Sequence, residues 1–253
     1  MNRKIKIEAL FPELCNLFGD SMNVEYLHRA LPEVEIIKTP LKNKPALLDD
    51  SDIKLVYLGS MTESAQELAI NNLSRYKEII FDKINCGTIF LVTGNALELF
   101  GNRIENEDGS SIKGLGLFDL YSKRQMMRRY SSIYLGTFEE KPGTILDIVG
   151  FKSQFAHLYN DGEKDGNISP EPLFTTLRGA GRKPGQVEEG VRINNFIGTS
   201  MLGPLLVINP LFARYIIKLM GIENYELPYE FEATRAYEAR VKEFKDPNTG
   251  TEY

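Results

Sequence analysis

Covalent catalysis needs a nucleophile held beside a base, and this chain offers few of either: two cysteines, Cys15 and Cys86, and two histidines, one of them His157. The stretch with suitable geometry runs from Ile89 to Gly101, IFLVTGNALELFG. Four apolar residues enter Thr93-Gly94-Asn95, after which Ala96, Leu97 and Phe100 fall at helical spacing. A buried strand that enters a glycine turn and leaves as a helix start has the form of a nucleophile elbow, which lifts one side chain above the carboxyl edge of a parallel sheet. The residue at that apex is Gly94, which has no side chain. An ordinary strand-to-helix turn of a doubly wound fold explains the segment equally well. No spacing suits a metal site, and no cofactor is expected.

The elements around this segment alternate. Ile5, Ile7 and Ala9 alternate with Lys6 and Glu8 as a first strand. The loop ELCNLFGDSMN follows, and Asp20 or Ser21 is placed to cap a helix with Val24, Leu27 and Leu31 on its apolar face. Val34, Ile36 and Ile37 give a second strand, and IKLVYLG, with little alternation, a central third. Ser60 and Glu63 have capping-box spacing ahead of a helix that runs to Asn85-Cys86-Gly87. Such βαβ alternation predicts a mostly parallel sheet flanked by helices.

Past Gly101 the pattern becomes β-rich, with SSIYLGTF, TILDIVGF and FAHLY as strands. A polar loop over 160–172 reads as an exposed connection. Two more strand candidates, LFTTLRGAGRK and VRINNFIGTSM, precede a helix from Pro210 through Leu219. A last amphipathic helix, roughly 229–244, carries Phe231, Tyr237, Val241 and Phe244, and the tail DPNTGTEY is expected to fray. The organisation read from this is one domain over 1–253: a βαβ half with the elbow at 1–101, a β-rich half at 102–205, and C-terminal helices with a tail at 206–253.

A net charge of −5, with the basic residues scattered apart from KRQMMRR at 123–129, argues against a nucleic-acid partner. The N-terminal MNRKIKIEALF meets Glu8 before any apolar stretch of signal length, and no apolar run reaches the roughly 18 residues of a membrane span. With only two cysteines, the expectation is a cytoplasmic protein with reduced thiols.

Seven segments then fall in one order: LFPELCNLFGDSMNVEYL, YLGSMTESAQ, the elbow, GLGLFDLYS, IVGFKSQ, LRGAGRKPGQVEEGVRINNFIGT and GPLLVINP. In these the chain resembles the cobyric-acid-synthase type of class I glutamine amidotransferase, with a flavodoxin-like sheet, and most of all the glutaminase subunits of lipid II isoglutaminyl synthases. The resemblance covers nearly the whole chain. It implies thiol attack on the glutamine amide, release of ammonia through a glutamyl thioester, and a Mur-ligase-like amide-forming partner in peptidoglycan synthesis.

Such chemistry needs a cysteine at the elbow and a histidine beside it, because the thiol must become a thiolate. The family elbow, Cys-Gly-Gly-Tyr-Gln, lays its nucleophile on Gly94. The family run Gly-Thr-Tyr-Leu-His-Gly-Pro corresponds to 198–204, where the histidine has become Leu202. A register shift that puts Thr93 at the apex breaks the match at Gly101 and still lacks a base. Cys15 with His157 is the remaining conceivable pair. The family's glycine run after the third strand is Gly59-Ser60-Met61-Thr62-Glu63 here, followed by a matching Gln66, and spacing puts the arginine expected to hold the glutamine carboxylate at Arg128. The resemblance therefore implies a catalytically silent pocket, with Arg128 at its rim, able to hold glutamine or another small anion. An active glutaminase and a small-ligand-binding module are the alternatives.

Overall fold

Residues 4–162 and 170–251 are described by the computed structural model. The first four strands, β1 (Lys6–Leu10), β2 (Glu35–Thr39), β3 (Ile53–Leu58) and β4 (Ile89–Thr93), are mutually parallel in the order β2-β1-β3-β4. All five residues of β4 are buried, as a strand covered on both faces requires. On one face Val56, Phe90 and Val92 pack against α2 (Glu63–Leu73) and α3 (Lys77–Asn85). On the other, Leu55, Ile89 and Leu91 meet α1 (Met22–Ala30) and residues of the C-terminal helices.

The β-rich half supplies short strands β5 (Arg103–Glu105), β6 (Ser111–Lys113) and β7 (Leu120–Arg124). A long hairpin, β8 (Tyr130–Lys141) with β9 (Thr144–Gln154), is followed by β10 (Ala156–Asn160), β11 (Phe174–Arg178) and β12 (Glu188–Glu189). These build two four-stranded sheets, β10-β7-β5-β6 and β12-β11-β8-β9. The chain then returns to the first sheet through β13 (Val191–Ile193) and β14 (Phe196–Thr199), which pairs in parallel with β4 from Phe196↔Phe90 to Thr199↔Thr93. This register sets the loops after Thr93 and after Thr199 side by side at the carboxyl edge. The α/β fold with a mostly parallel first sheet and a β-rich second half is the one expected.

Several local expectations differ. The segment after Gly94 is a 3-10 stretch to Phe100, not an α-helical start. Helix α1 is capped at Ser21 without a side-chain bond, since Asp20 turns its carboxylate inward. Helix α2 takes Thr62 as its cap, whose hydroxyl accepts from Ala65 N, in place of a Ser60 capping box. The chain from 63 to 85 is broken by a 3-10 turn at Ser74–Tyr76.

Helices α4 (Leu205–Ile208), α5 (Pro210–Leu219) and α6 (Glu230–Lys245) complete the fold. The apolar face of α6 is spent on its own domain: Tyr237 and Phe244 are buried with Ile133, Leu135 and Val149, and Phe231 alone of the expected aromatics stands 68% exposed. The described part of the tail is hydrogen-bonded to the β-rich half. Arg178 donates to the carbonyls of Phe244, Asp246 and Thr249, and Ile133 N donates to Thr251 O at 3.0 Å. Of the polar connection expected over 160–172, residues 163–169 lie outside the described residues, as do 252–253 of the tail.

Candidate functional site

Gly94 closes β4 with φ +61°, in the left-handed region where a residue with a Cβ is strained by roughly 1–2 kcal/mol. That is the backbone an elbow imposes on its apex. A Cβ built on Gly94 would overlap Ser60 Oγ and lie 2.9 Å from Ser60 Cβ and 3.2 Å from Leu202 Cδ2. The hydroxyl of Ser60 therefore occupies the space a nucleophile's side chain would fill, with the Leu202 methyl against it. Gly94 N donates to Met201 O at 3.0 Å and Leu202 N to Phe151 O at 3.0 Å, so the elbow and the 200–204 loop are tied through the backbone.

Ser60 is held from below. Its hydroxyl donates to Asp20 Oδ1 at 3.1 Å, Thr93 Oγ1 donates to the same oxygen at 3.2 Å, and Phe18 N donates to Asp20 Oδ2 at 3.0 Å. Burial pushes the Asp20 carboxyl up, while these bonds favour its anion. Thr93 also pairs with Tyr57 OH at 2.8 Å, and Asn23 Nδ2 donates to that phenol at 2.9 Å. The Thr93 hydroxyl is thus fully engaged and wholly buried. On the facing loop, Met61 N donates to Asn95 Oδ1 at 3.0 Å, and Asn95 Nδ2 donates to Met61 O at 2.7 Å. Both backbone groups of Met61 are thus paired with the Asn95 side chain.

The loop carrying Leu202 rests on a buried ion pair. Lys152 and Glu189 are both 0% exposed and 2.8 Å apart. Lys152 Nζ also donates to the carbonyls of Ala180 and Gly181, and Glu189 Oε1 accepts from Thr199 Oγ1 at 2.6 Å and Ser200 N at 2.9 Å. Burial lowers the Lys152 amine, and Glu189 opposes that shift. Breaking such a pair by removing one partner leaves an uncompensated charge, so the loop is firmly placed.

Above Gly94 a pocket of about 640 Å³, open mouth included, carries a second polar cluster. Arg124 Nη2 donates to Gln66 Oε1 at 2.7 Å, Gln66 Nε2 to Asn95 O at 2.7 Å, and Ser122 Oγ to Glu98 Oε2 at 3.2 Å. Burial pushes the Glu98 carboxyl up to about 7, with the Arg124 guanidinium and the Gln66 and Ser122 hydrogen bonds pulling the other way. Glu98 and Arg124 were not singled out in the sequence. Their signal was the period of two in β7, where Leu120, Ser122 and Arg124 share the buried face; that face supplies Arg124 and Ser122, which hold Glu98.

The structure brings Gly94, Leu202 and Gln66 to one pocket. Arg128 is not among its lining residues; the guanidiniums there are Arg124 and Arg129, and Arg128 lines a neighbouring pocket with His157. Cys15 is buried near Tyr57 in a third pocket, and burial pushes its thiol up to about 12. On the order of one such thiol in 10⁵ is ionised at pH 7. His157 Nδ1 is taken by Gln154 Nε2 at 3.0 Å. Cys86 is exposed at the end of α3, ahead of the amino end of β4. Among the described residues no cluster suits a metal and no helix is long and apolar enough to cross a membrane.

The chain is 23% identical over 228 residues, 90% of its length and 88% of the relative's, to the GatD subunit of the glutamine-hydrolysing lipid II isoglutaminyl synthase of Staphylococcus aureus strain N315. A crystal structure of a glutamine amidotransferase superposes with a TM-score of 0.52 at 17% identity, over 85% of this chain and 99% of that one. A Thermotoga maritima glutamine amidotransferase covers 96% of this chain and 92% of its own at 11% identity, but its TM-score of 0.46 adds no weight. No protein-family model matches the sequence. The fold is that of the glutamine amidotransferases.

Gly94→Ala is expected to cost about 2–4 kcal/mol, combining the left-handed backbone with overpacking against Ser60. Adding Ser60→Gly should relieve the overlap and leave about 1–2 kcal/mol from the backbone. A double-mutant cycle by urea unfolding reads this coupling; strictly additive effects would show that Ser60 does not fill the apex. For Glu98 the neutral form is favoured in the fold. Its stabilisation is therefore complete below the ordinary carboxyl value near 4.5 and is lost as pH rises through about 7. Relative to Glu98→Gln, wild-type stability should fall between pH 5 and 8 by roughly 3 kcal/mol; a constant difference would contradict the assignment.

Proposed function

We propose that the chain is a glutamine amidotransferase-like subunit that no longer hydrolyses glutamine and that binds an amide-forming, Mur-ligase-like partner in lipid II or related cell-wall amidation, in the cytoplasm. The similarity to a subunit of lipid II isoglutaminyl synthase supports the family and the pairing. The observation that supports the silence is the apex itself: Gly94 with no side chain, Ser60 in the space a side chain would fill and the Leu202 methyl against it, at the position the resemblance aligns with the family's histidine. A thiolate route through Cys15 is disfavoured by its buried, un-ionised thiol.

The same pocket keeps polar groups suited to a small carboxylate-bearing ligand such as glutamine, with Gln66, Glu98, Arg124 and Arg129 among its lining residues. Binding without turnover fits this set. Around the mouth, Leu17 is 50% exposed and Phe18 37%, and Met127 on the adjoining turn is 93% exposed. This apolar rim, in place of the buried face of α6, is where a partner subunit gains area.

Co-expression with a Mur-ligase-like amide-forming protein of the same organism should give a complex that co-elutes. Leu17→Glu with Met127→Glu should dissociate it while the subunit's melting temperature stays unchanged. In that complex, ammonia release from glutamine should not exceed a buffer control. A subunit that stays monomeric beside every such ligase would overturn the pairing, and glutamine turnover would overturn the silence.

A further inference from the structure

A second pocket lies against the first, sharing Arg129 with it. It encloses about 990 Å³, open mouth included, and its wall holds Arg128, Arg129, Lys183 and His157, with Ser131 and Tyr159 as hydroxyl donors. Among the described residues no aspartate or glutamate lines it. In a chain of net charge −5, three cations lining one pocket with no described carboxylate are the opposite of what composition predicts. Cations on a protein surface are ordinarily interspersed with anions, and a single-sign concavity concentrates counter-ions.

The three charges are not spent elsewhere among the described residues. Arg129 lies over the Phe155 ring at 5.2 Å and Lys183 over the Tyr159 ring at 4.5 Å, and neither these two nor Arg128 forms an ion pair there. The aromatic faces fix the direction of the cationic heads and leave their donors available. The floor is rigid, because His157 sits in β10 paired with Lys123 of β7, and Tyr130 of β8 pairs with Gln154 of β9. Tyr159 is itself stacked on Tyr121 at 5.2 Å.

Beneath the cations a buried acceptor lacks a partner. Gln154 Nε2 approaches His157 Nδ1 at 3.0 Å, and Gln154 Oε1 is buried with no hydrogen bond. With the amide nitrogen donating, Nδ1 accepts and the neutral ring carries its proton on Nε2. Burial lowers the His157 value first, and the charges of Lys152, Arg128 and Lys183 lower it further. An anion among those charges reverses the second effect. The imidazolium that then forms carries a proton on Nδ1, and a flip of the Gln154 amide presents Oε1 to it, which pairs the orphaned oxygen. Gln154 also lines the pocket over Gly94, so the two pockets share this side chain.

We propose that this second pocket is a binding site for a phosphate or diphosphate group of a soluble small molecule, with Arg128, Arg129 and Lys183 as its cationic ligands and His157 as its buried donor. Guanidinium forks suit the planar, bidentate presentation of phosphate oxygens, and an ammonium adds a point charge. The site is separate from the elbow pocket, and its existence does not depend on the function proposed above.

The chain has two histidines, so imidazole NMR reads the site directly, with His28 as the internal control. Titration of the full-length protein with inorganic pyrophosphate, at ionic strength held constant with sodium chloride, should move the His157 resonance saturably. It should also raise that residue's pKa by about one unit, while His28 stays unchanged. Arg128→Gln with Lys183→Gln should weaken the apparent affinity at least tenfold, as measured by calorimetry. A nucleoside diphosphate that binds more tightly than pyrophosphate would identify the phosphate as part of a nucleotide; equal binding would identify free phosphoanhydride as the recognised group. Equal drift of both histidines, or binding that survives the loss of Arg128 and Lys183, would overturn the proposal.

Discussion

The close approach of Ser60 to Gly94 is the constraint on which the rest of the site depends. With a Cβ at position 94, Ser60 Oγ and Cβ cannot stay where they are. With Ser60 held by the buried carboxylate of Asp20, the apex cannot carry a side chain. Each residue makes the other tolerable. The left-handed turn that an elbow nucleophile must bear as strain is free of cost at glycine, so the chain holds the elbow shape at Gly94 without strain.

The constraint spreads outward through hydrogen bonds. Asp20 gathers Ser60, Thr93 and Phe18 N, Thr93 engages Tyr57, and Asn23 ties Tyr57 to Gly203 O at 3.2 Å and accepts from Leu206 N at 2.9 Å. One polar chain thus joins the first loop, the third and fourth strands and the segment after β14. The pair Lys152–Glu189 fixes that segment from the other side. Buried polar networks of this kind favour a single arrangement when every member is satisfied.

Much of this was legible in the sequence, for physical reasons that differ by element. The apolar run at 89–93 and the alternation of strands and helices before it announced a parallel sheet, because a strand buried on both faces leaves few readings. The neighbourhood of Gly94 and Leu202 needed the resemblance, since the parallel pairing of β14 with β4 brings together residues over a hundred positions apart. What escaped was set by side-chain direction. Asp20 looks like a helix cap in one dimension and turns inward in three, and KRQMMRR hides Arg124 on a buried strand face while Arg128 belongs to a turn beyond it. Ser60 reads as a capping residue because nothing local reveals that the residue above it lacks a side chain.

The central claim is that no residue at this elbow can attack a glutamine carbonyl. Its most direct test is the intact mass of the protein after incubation with a diazo-ketone analogue of glutamine, an electrophile that alkylates a nucleophile placed beside a bound glutamine side chain. The account predicts an unchanged mass, even at saturating analogue. A single stoichiometric adduct mapped to Ser60, Thr93 or Cys15 would contradict it, since it would show a nucleophile activated where the structure provides no base.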